Sequence, residues 1–356
     1  MNRLEELIHG EIDLNGPMRL DRYMALALGH PEHGYYMSRP AIGQSGDFTT
    51  APEVSQMFGE IVGAWLAHMW TVLGSPSPVA LVELGPGRGT LTADIWRTFA
   101  LVPGLRDAAR IHLVETSPRL RAQQADRLSG LPVEWHETLD EVPAGATLLV
   151  ANELFDALPI RHLVRRGESW RERRVAFAPE GGLAFVDAEP VEADLGPAFA
   201  IAPEGAIAEI CEAARAVATA IGRRMADAPG AGLVIDYGYR AAAPGDTLQA
   251  LKGKRPADPL AAPGEADLTA HVDFGALAEA ARAAGADSHG PLAQGSFLTA
   301  LGIGARAERL RKGGADAGDL GLALERLTGV GAMGDLFKVL ALVTPGTATP
   351  QPFDIA

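Results

Sequence analysis

Apolar positions along this chain change period near residue 79. Between Glu53 and Leu73, the residues Val54, Met57, Phe58, Ile61, Val62, Trp65, Leu66, Met69, Trp70 and Leu73 recur at helical spacing, which predicts one long helix with a wide apolar face. Ahead of it, Thr50-Ala51-Pro52-Glu53 predicts a capping box, with Thr50 as N-cap, Glu53 returning to it, and Pro52 tolerated in a first turn whose N–H groups lack helical partners. From Val79 the pattern becomes short apolar runs separated by helical stretches. Strands are predicted at Val79 to Leu84, Ile111 to Glu115, Thr147 to Ala151, Gly232 to Tyr237 and Phe337 to Val343. Alternation of strand and helix argues for a mostly parallel sheet covered on both faces.

The resulting architecture is α/β and doubly wound. A helical amino-terminal cap is expected over residues 1–78 and the core over 79–356. Two segments interrupt the core. Residues from about 160 to 200 alternate short apolar runs with Gly167 and Gly181-Gly182, which predicts a small β-hairpin insertion, and 240–266 is expected to be a long loop rich in Pro and Gly. The insertion carries Arg161, Arg165, Arg166, Arg171, Arg173 and Arg174, either a solvated face or a docking patch for an acidic partner. Alanine-rich stretches at 206–228 and 275–286 keep helical periodicity, so Cys211, set among Ile207, Ile210, Ala214 and Val217, is expected as a buried structural thiol in a helix.

Composition narrows the function classes. With 356 residues, 47% of them apolar, the chain can bury a substantial core. A formal charge of −14 argues against a broad phosphate-binding surface and so against nucleic acid as partner. A single cysteine excludes an internal disulfide and a cysteine-rich zinc site. No apolar run reaches membrane-spanning length and no signal-like segment opens the chain. Together these features predict a soluble protein in a reducing, cytoplasmic setting, without membrane insertion.

Candidate chemistry centres on Val82-Glu83-Leu84-Gly85-Pro86-Gly87-Arg88-Gly89-Thr90-Leu91, a strand running into a Gly-x-Gly-x-Gly turn and a helix. Such glycines allow positive φ and close approach of backbone to a ligand. A dinucleotide fingerprint needs its third glycine where Thr90 stands. The acid ahead of the turn, Glu83, suits a cationic ligand end better than a pyrophosphate, which favours S-adenosylmethionine. Glu115, at the end of the next strand, is placed to accept both ribose hydroxyls. Beyond the third predicted strand lies Asn152-Glu153-Leu154-Phe155-Asp156-Ala157-Leu158-Pro159, whose side chains should face the same pocket. Glu153 and Asp156 near a methyl donor suggest a cationic acceptor such as an amine or guanidinium, or else a capped turn with a surface acid. Gly46-Asp47-Phe48-Thr49-Thr50 is either a helix entry or a ligand-covering loop. The nine histidines show no metal-binding His-x-x-x-His pair; His30 and His33 belong to a surface turn, and His271 is either a structural hydrogen-bonding residue or part of the site. No metal is required.

These blocks, with Asp267 to Phe274, Gln294-Gly295-Ser296-Phe297-Leu298 and Met333-Gly334-Asp335-Leu336-Phe337-Lys338-Val339-Leu340, carry a resemblance. Over nearly its whole length the chain resembles the class I methyltransferase family of the mitochondrial complex I assembly factor, also called the mitochondrial dysfunction protein A family, in a bacterial form. The resemblance implies a Rossmann-like core in which the closing strand is inserted antiparallel. It also implies S-adenosyl-L-methionine as cofactor, S-adenosyl-L-homocysteine as product, and formation of symmetric dimethylarginine on the large quinone-module subunit of respiratory complex I. In this scheme Gly85, Pro86, Gly87, Gly89 and Thr90 cradle the cofactor, Glu83 orients its amino-acid end, Glu115 holds the ribose and Asn152 lines the adenosyl and methyl region. Glu153 and Asp156, with Asp47, fix the guanidinium and receive its proton, while Thr49, Thr50 and His271 line the acceptor. Lys254 and Pro256, ahead of Asp258-Pro259-Leu260, depart from the family pattern of a histidine and an aromatic. A non-catalytic cofactor-binding assembly factor and a small-molecule methyltransferase stay open as alternatives, as does a homodimer. A nucleic-acid amino-methyltransferase would need an Asn-Pro-Pro-Tyr-like turn and a basic groove, and neither is present.

Overall fold

The computed structural model describes residues 1–38 and 49–355. Its centre is a twisted sheet of seven main strands: β1 (Val79–Leu84), β2 (Ala109–Val114), β3 (Val133–His136), β4 (Thr147–Asn152), β5 (Gly230–Tyr239), β6 (Asp287–Ala293) and β7 (Phe337–Val343). Their spatial order is β6-β7-β5-β4-β1-β2-β3, with a two-residue strand, Val272–Asp273, pairing parallel to the end of β5. All neighbours from β3 to β5 run parallel; β7 is antiparallel to both β5 and β6. This is the class I methyltransferase sheet, with the reversed closing strand where the resemblance placed it. Chain order reverses between β1 and β4, so the crevice beyond their carboxyl ends is the place where an open α/β sheet binds its ligand.

Side chains of one strand alternate between two cores. Leu81, Ile111, Leu148, Val150, Leu233, Ile235 and Val339 pack with the helices Gln56–Val72 and Thr90–Phe99. Val82, Leu84, Leu149, Ala151, Val234 and Leu340 pack on the other face with Glu212–Asp227 and Phe274–Ala283. Two strands escape the sequence pattern, β3 (Val-Glu-Trp-His) and the start of β6 (Asp-Ser-His-Gly-Pro). Both lie at sheet edges, where one flank meets solvent and no continuous apolar run is required.

Other local expectations are corrected. The long helix begins at Gln56, capped by the Ser55 side chain, which accepts from Met57 N. Ala51–Val54 forms a separate short helix whose N-cap, Thr50, makes no side-chain cap bond. Glu53 does not close a capping box because its carboxylate is used across space, as shown below. Ile207–Ile210 is a strand rather than a helix, because its backbone pairs with Arg161–Arg166; Cys211 becomes the N-cap of Glu212–Asp227, its Sγ accepting from Ala214 N. Burial pushes that thiol up to about 11.

The insertion is larger than a hairpin. Arg161–Arg166, Ser169–Phe177, Leu183–Val191 and Ile207–Ile210 form an antiparallel sheet, completed by Met18–Arg19 of the amino-terminal region. Its arginines are largely engaged within the fold: Arg161 bonds Glu172 and Glu212, Arg166 bonds Asp187, Arg173 bonds Asp246, and Arg165 lies over the Trp170 ring. Nor is 240–266 wholly a loop. Gln249–Lys252 and Arg255–Ala257 form a hairpin, joined by Asp267–Thr269. Its two-residue turn uses positive φ at Gly253 (59°) and Lys254 (62°), and Pro256 is tolerated because its strand is an edge.

Helices Glu212–Asp227 and Phe274–Ala283 meet at Gly222, where a Cβ would stand 2.6 Å from the Ala281 carbonyl oxygen. Alanine gains about 1 kcal/mol of helix propensity over glycine, whereas overpacking against backbone costs about 1–3 kcal/mol. Gly222→Ala is therefore expected to lower stability by about 1 kcal/mol in urea unfolding; a gain would show that the two helices separate freely.

Candidate active site

The glycine turn leaves β1 with its backbone strained as only glycine permits. Gly85, Gly87 and Gly89 have φ of 63°, 53° and 76°. Gly85 is also fixed by packing, since an added Cβ would lie 2.8 Å from Leu154 Cδ1. On one side Gln124, fully buried on the helix Pro118–Arg127, donates to Gly87 O (2.8 Å) and Glu115 Oε2 (3.2 Å), and accepts from Trp135 Nε1 (2.9 Å). Glu115 Oε1 accepts from Ser117 N at 2.8 Å. Gln124 thus ties turn and acid into one unit, a role with no signal in a polar helix.

On the other side the short helix Ala51–Val54 lies over the turn. Glu53 accepts from the Thr90 hydroxyl (2.5 Å) and from Arg88 (3.2 Å). Ala51 N donates to Glu153 Oε1 at 2.7 Å. One segment therefore touches both the glycine turn and the acid beyond β4.

That acid is held in an unusual conformation. Glu153 has φ of 51°, a costly left-handed backbone for a non-glycine residue. The next turn is anchored from β5 by Asp236. This carboxylate has no solvent exposure; its Oδ2 accepts from the N–H of Leu154 (3.1 Å), Phe155 (2.9 Å) and Asp156 (3.2 Å), and its Oδ1 from Tyr237 N (2.9 Å). Asp236 sits inside a predicted strand, and a carboxylate ending the apolar run Leu233-Val234-Ile235 was the available signal. Burial raises the pKa of Asp156, against which the neighbouring Tyr237 side chain lowers it.

Three spaces meet here. A cavity of about 230 Å³ is bounded by Thr50, Gly85, Gly87, Glu115, Glu153 and Asp156. A smaller one, about 40 Å³, lies among Glu53, Glu83, the glycine turn, Thr90, Asn152 and Glu153. A third, about 410 Å³, is bounded by Thr49, Glu153, Tyr237, His271, Arg326 and Lys338. Glu153 borders all three. Pro86 lies on the smallest cavity. His271 is exposed, its ring edge-on to Tyr237 at 5.4 Å, and its backbone N–H donates to the Thr247 hydroxyl. Asp47 lies outside the described residues. His30 and His33 stack in their turn. Potential metal donors meet elsewhere, His112 with Glu134 and His136, and His162 with Glu209 and Asp246; they join across strands, a pairing that helical spacing does not foresee.

Burial dominates the electrostatics. It pushes Glu83 up to about 8, against the stabilising hydroxyl of Thr92, and Glu153 up to about 7, against the Ala51 N–H. Asp156, Asp236 and Glu115 are likewise raised by burial, and Asp236 further by the neighbouring Asp156 and Glu153 charges. Asn152 donates to Glu153 Oε1 at 3.2 Å, while its buried Oδ1 has no hydrogen-bond partner among the described residues. Glu53, Glu83 and the unpartnered carbonyl oxygen of Asn152 around a small cavity suit a ligand end that is cationic and rich in N–H donors. A glycine cradle beside an acid at the end of β2 suits a nucleoside. The residues present therefore fit S-adenosyl-L-methionine.

Fold and pocket together define a class I S-adenosyl-L-methionine-dependent methyltransferase. Residues 61–292 match the family model described as "Putative S-adenosyl-L-methionine-dependent methyltransferase", and the chain belongs to that family. Among relatives, it is 37% identical to the zebrafish (Danio rerio) protein arginine methyltransferase NDUFAF7, mitochondrial, over 84% of this chain and 76% of the relative. It is 35% identical to the Drosophila melanogaster homologue over 95% of this chain and 84% of that one. A crystal structure of a methyltransferase-like protein from Burkholderia thailandensis bound to S-adenosyl-homocysteine superposes with a TM-score of 0.84 at 29% identity, covering 97% of this chain and 92% of the other. The cofactor of the family is S-adenosyl-L-methionine.

The relatives also correct the expected cytoplasmic setting. The fly, zebrafish, mouse and human proteins are all named mitochondrial. A low cysteine content is shared by proteins of several compartments, so composition could not select the cytoplasm.

The raised carboxyl groups set a pH dependence of stability. The folded chain keeps protons on Glu153 and Glu83 that the unfolded chain releases near pH 4, so stability falls as pH rises through about 7 to 8. The cofactor-free protein is expected to melt at a lower temperature at pH 9 than at pH 7, with a smaller drop in Glu83→Gln. Scanning calorimetry showing no drop in wild type would contradict these environments.

Proposed function

We propose that this protein transfers the methyl group of S-adenosyl-L-methionine to an arginine side chain of a protein, and that the acceptor is the large quinone-module subunit of respiratory complex I, carried to symmetric dimethylarginine. The observation that carries the reading is the position of Glu153, which borders both the space beside the glycine turn and the larger cavity beyond it. The names of the zebrafish and fly relatives support an arginine acceptor. The acceptor subunit and the symmetry of the product rest on the family resemblance.

When bound, S-adenosyl-L-methionine supplies an electrophilic methyl group on a sulfonium. Glu83, Glu53 and the free Oδ1 of Asn152 would hold its amino-acid end, Glu115 its ribose, and the Gly85 to Thr90 backbone would lie against it. The chain's own work is to orient the acceptor and keep water out, which can contribute about 7–11 kcal/mol to barrier lowering. A protonated guanidinium is a poor nucleophile, so the nitrogen must shed a proton as it is methylated. Glu153 and Asp156, with Tyr237 beside them, would attract the cation and take that proton. Burial raises their basicity toward neutrality, which suits them to accept a proton. Asp47 would join them as the third acid, and Thr49, Thr50 and His271 would line the acceptor's path.

Glu153→Gln retains an oxygen to accept from Ala51 N. It is expected to leave cofactor affinity near that of wild type by calorimetry, while methyl transfer to the complex I subunit falls by about 10²–10⁴-fold. In wild type kcat/KM should rise with pH to a plateau, with a midpoint near 7 from the free Glu153 carboxyl. Full transfer by Glu153→Gln, or tight cofactor binding with no label on any arginine in wild type, would favour a non-catalytic assembly role.

A further inference from the structure

Leu120, Gln124 and Leu128 stand four apart along the helix Pro118–Arg127 and its C-cap, and all three are buried. Their face packs under the glycine turn: a Cβ added at Gly89 would lie 3.4 Å from Leu128 Cδ1 and 3.6 Å from Gln124 Cγ. Packing alone calls for an apolar residue at the centre of such a stripe. A glutamine stands there instead, with no solvent exposure. An amide removed from water is costly unless both of its ends find partners. Gln124 Oε1 accepts from Trp135 Nε1 on β3 at 2.9 Å, and Nε2 donates to Gly87 O at 2.8 Å and Glu115 Oε2 at 3.2 Å. The indole nitrogen can only donate, so it holds the amide oxygen and leaves the NH2 group facing the turn and the acid. Gly85, Gly87, Glu115 and Leu120 bound the cavity of about 230 Å³ and Gln124 does not, so it stands behind that wall.

The Glu115 carboxylate is thereby gripped at both oxygens, Oε1 by Ser117 N at 2.8 Å and Oε2 by Gln124. An ionised carboxylate offers about four lone-pair sites, so a site on each oxygen stays free to accept a hydroxyl proton. Hydroxyls on adjacent carbons match that arrangement, and a ribose carries such a pair. A carboxylate free to turn would have to be ordered by the ligand, and fixing it in advance removes that cost from binding. Resting on the assignment of Glu115 to the ribose, we infer that Gln124, aimed by the Trp135 indole, is a positioning residue for the adenosine half of the cofactor. It presents Glu115 and the Gly87 carbonyl in one fixed geometry without itself touching the ligand. Edge strand β3 thus acquires a part in cofactor recognition through the N–H of Trp135.

The test uses the full chain and calorimetric titration with S-adenosyl-L-homocysteine and with its 2′-deoxy and 3′-deoxy analogues. Wild type is expected to bind the parent about tenfold or more tighter than either analogue, since each analogue leaves a carboxylate oxygen without its hydroxyl. Gln124→Met keeps the side-chain length and loses the amide; it should bring the three affinities within about threefold of one another by weakening the parent and sparing the analogues. Trp135→Phe keeps an aromatic ring and loses the N–H, and should shrink the preference in the same direction. Circular dichroism checks that each variant folds, and should Gln124→Met not fold, Trp135→Phe alone decides. Glu115→Ala is the control and should abolish the preference. If it does, a preference unchanged in the Gln124 and Trp135 variants, or a loss spread equally over all three ligands, would overturn the positioning role and leave the ribose assignment standing. A preference that survives Glu115→Ala would instead sink that assignment and this inference with it.

Discussion

One buried carboxylate organises the pocket. Asp236 lies within β5 with no solvent exposure and gathers the N–H groups of Leu154, Phe155 and Asp156 onto a single oxygen. Burying such an acid is expensive, and only this set of backbone donors makes it tolerable. In return the turn after β4 is held, and with it the left-handed Glu153 and the inward-facing Asp156. Without that anchor the strained backbone at Glu153 would relax, because nothing in its own sequence favours positive φ.

The same region concentrates acids in a poorly hydrated cleft. Glu83, Glu153, Asp156 and Asp236 all have raised pKa values, each chiefly through burial. Burial of so many acids costs stability, and perturbed acids of this kind cluster where a fold builds a ligand site. The short helix Ala51–Val54 links the pieces, since Glu53 bonds the glycine turn while Ala51 bonds Glu153. The glycine turn and the acid beyond β4 therefore share a single bridging segment, which gives the amino-terminal region a direct part in the pocket.

Arginine-rich sequence does not by itself mark a ligand-facing surface. In the 161–174 stretch the charges are mostly absorbed by Glu172, Glu212, Asp187 and Asp246 or by aromatic faces. Around the cavity of about 410 Å³, Arg326 and Lys338 bond backbone carbonyls and share the wall with the acids Glu153 and Asp335. Count along the chain says little about which charges face a ligand; pairing in space decides it.

Sequence alone determined the parallel core and its pocket end. Period-two and continuous apolar runs bounded by glycine marked five of the seven main strands, and β1 and β7 occur with the predicted limits. The glycine turn and the acids beyond β2 and β4 were legible because an open α/β sheet sends such strand ends toward one crevice. Long-range partners were not legible. Glu53 has the spacing of a capping box but bonds Thr90, and Ile207 and Ile210 have helical spacing but pair as a strand with Arg161–Arg166. Gln124 and Asp236 carried no periodic signal, yet each joins segments distant in sequence. Periodicity reports which face of an element is buried; hydrogen-bond partners supplied from other elements are set only when the chain packs.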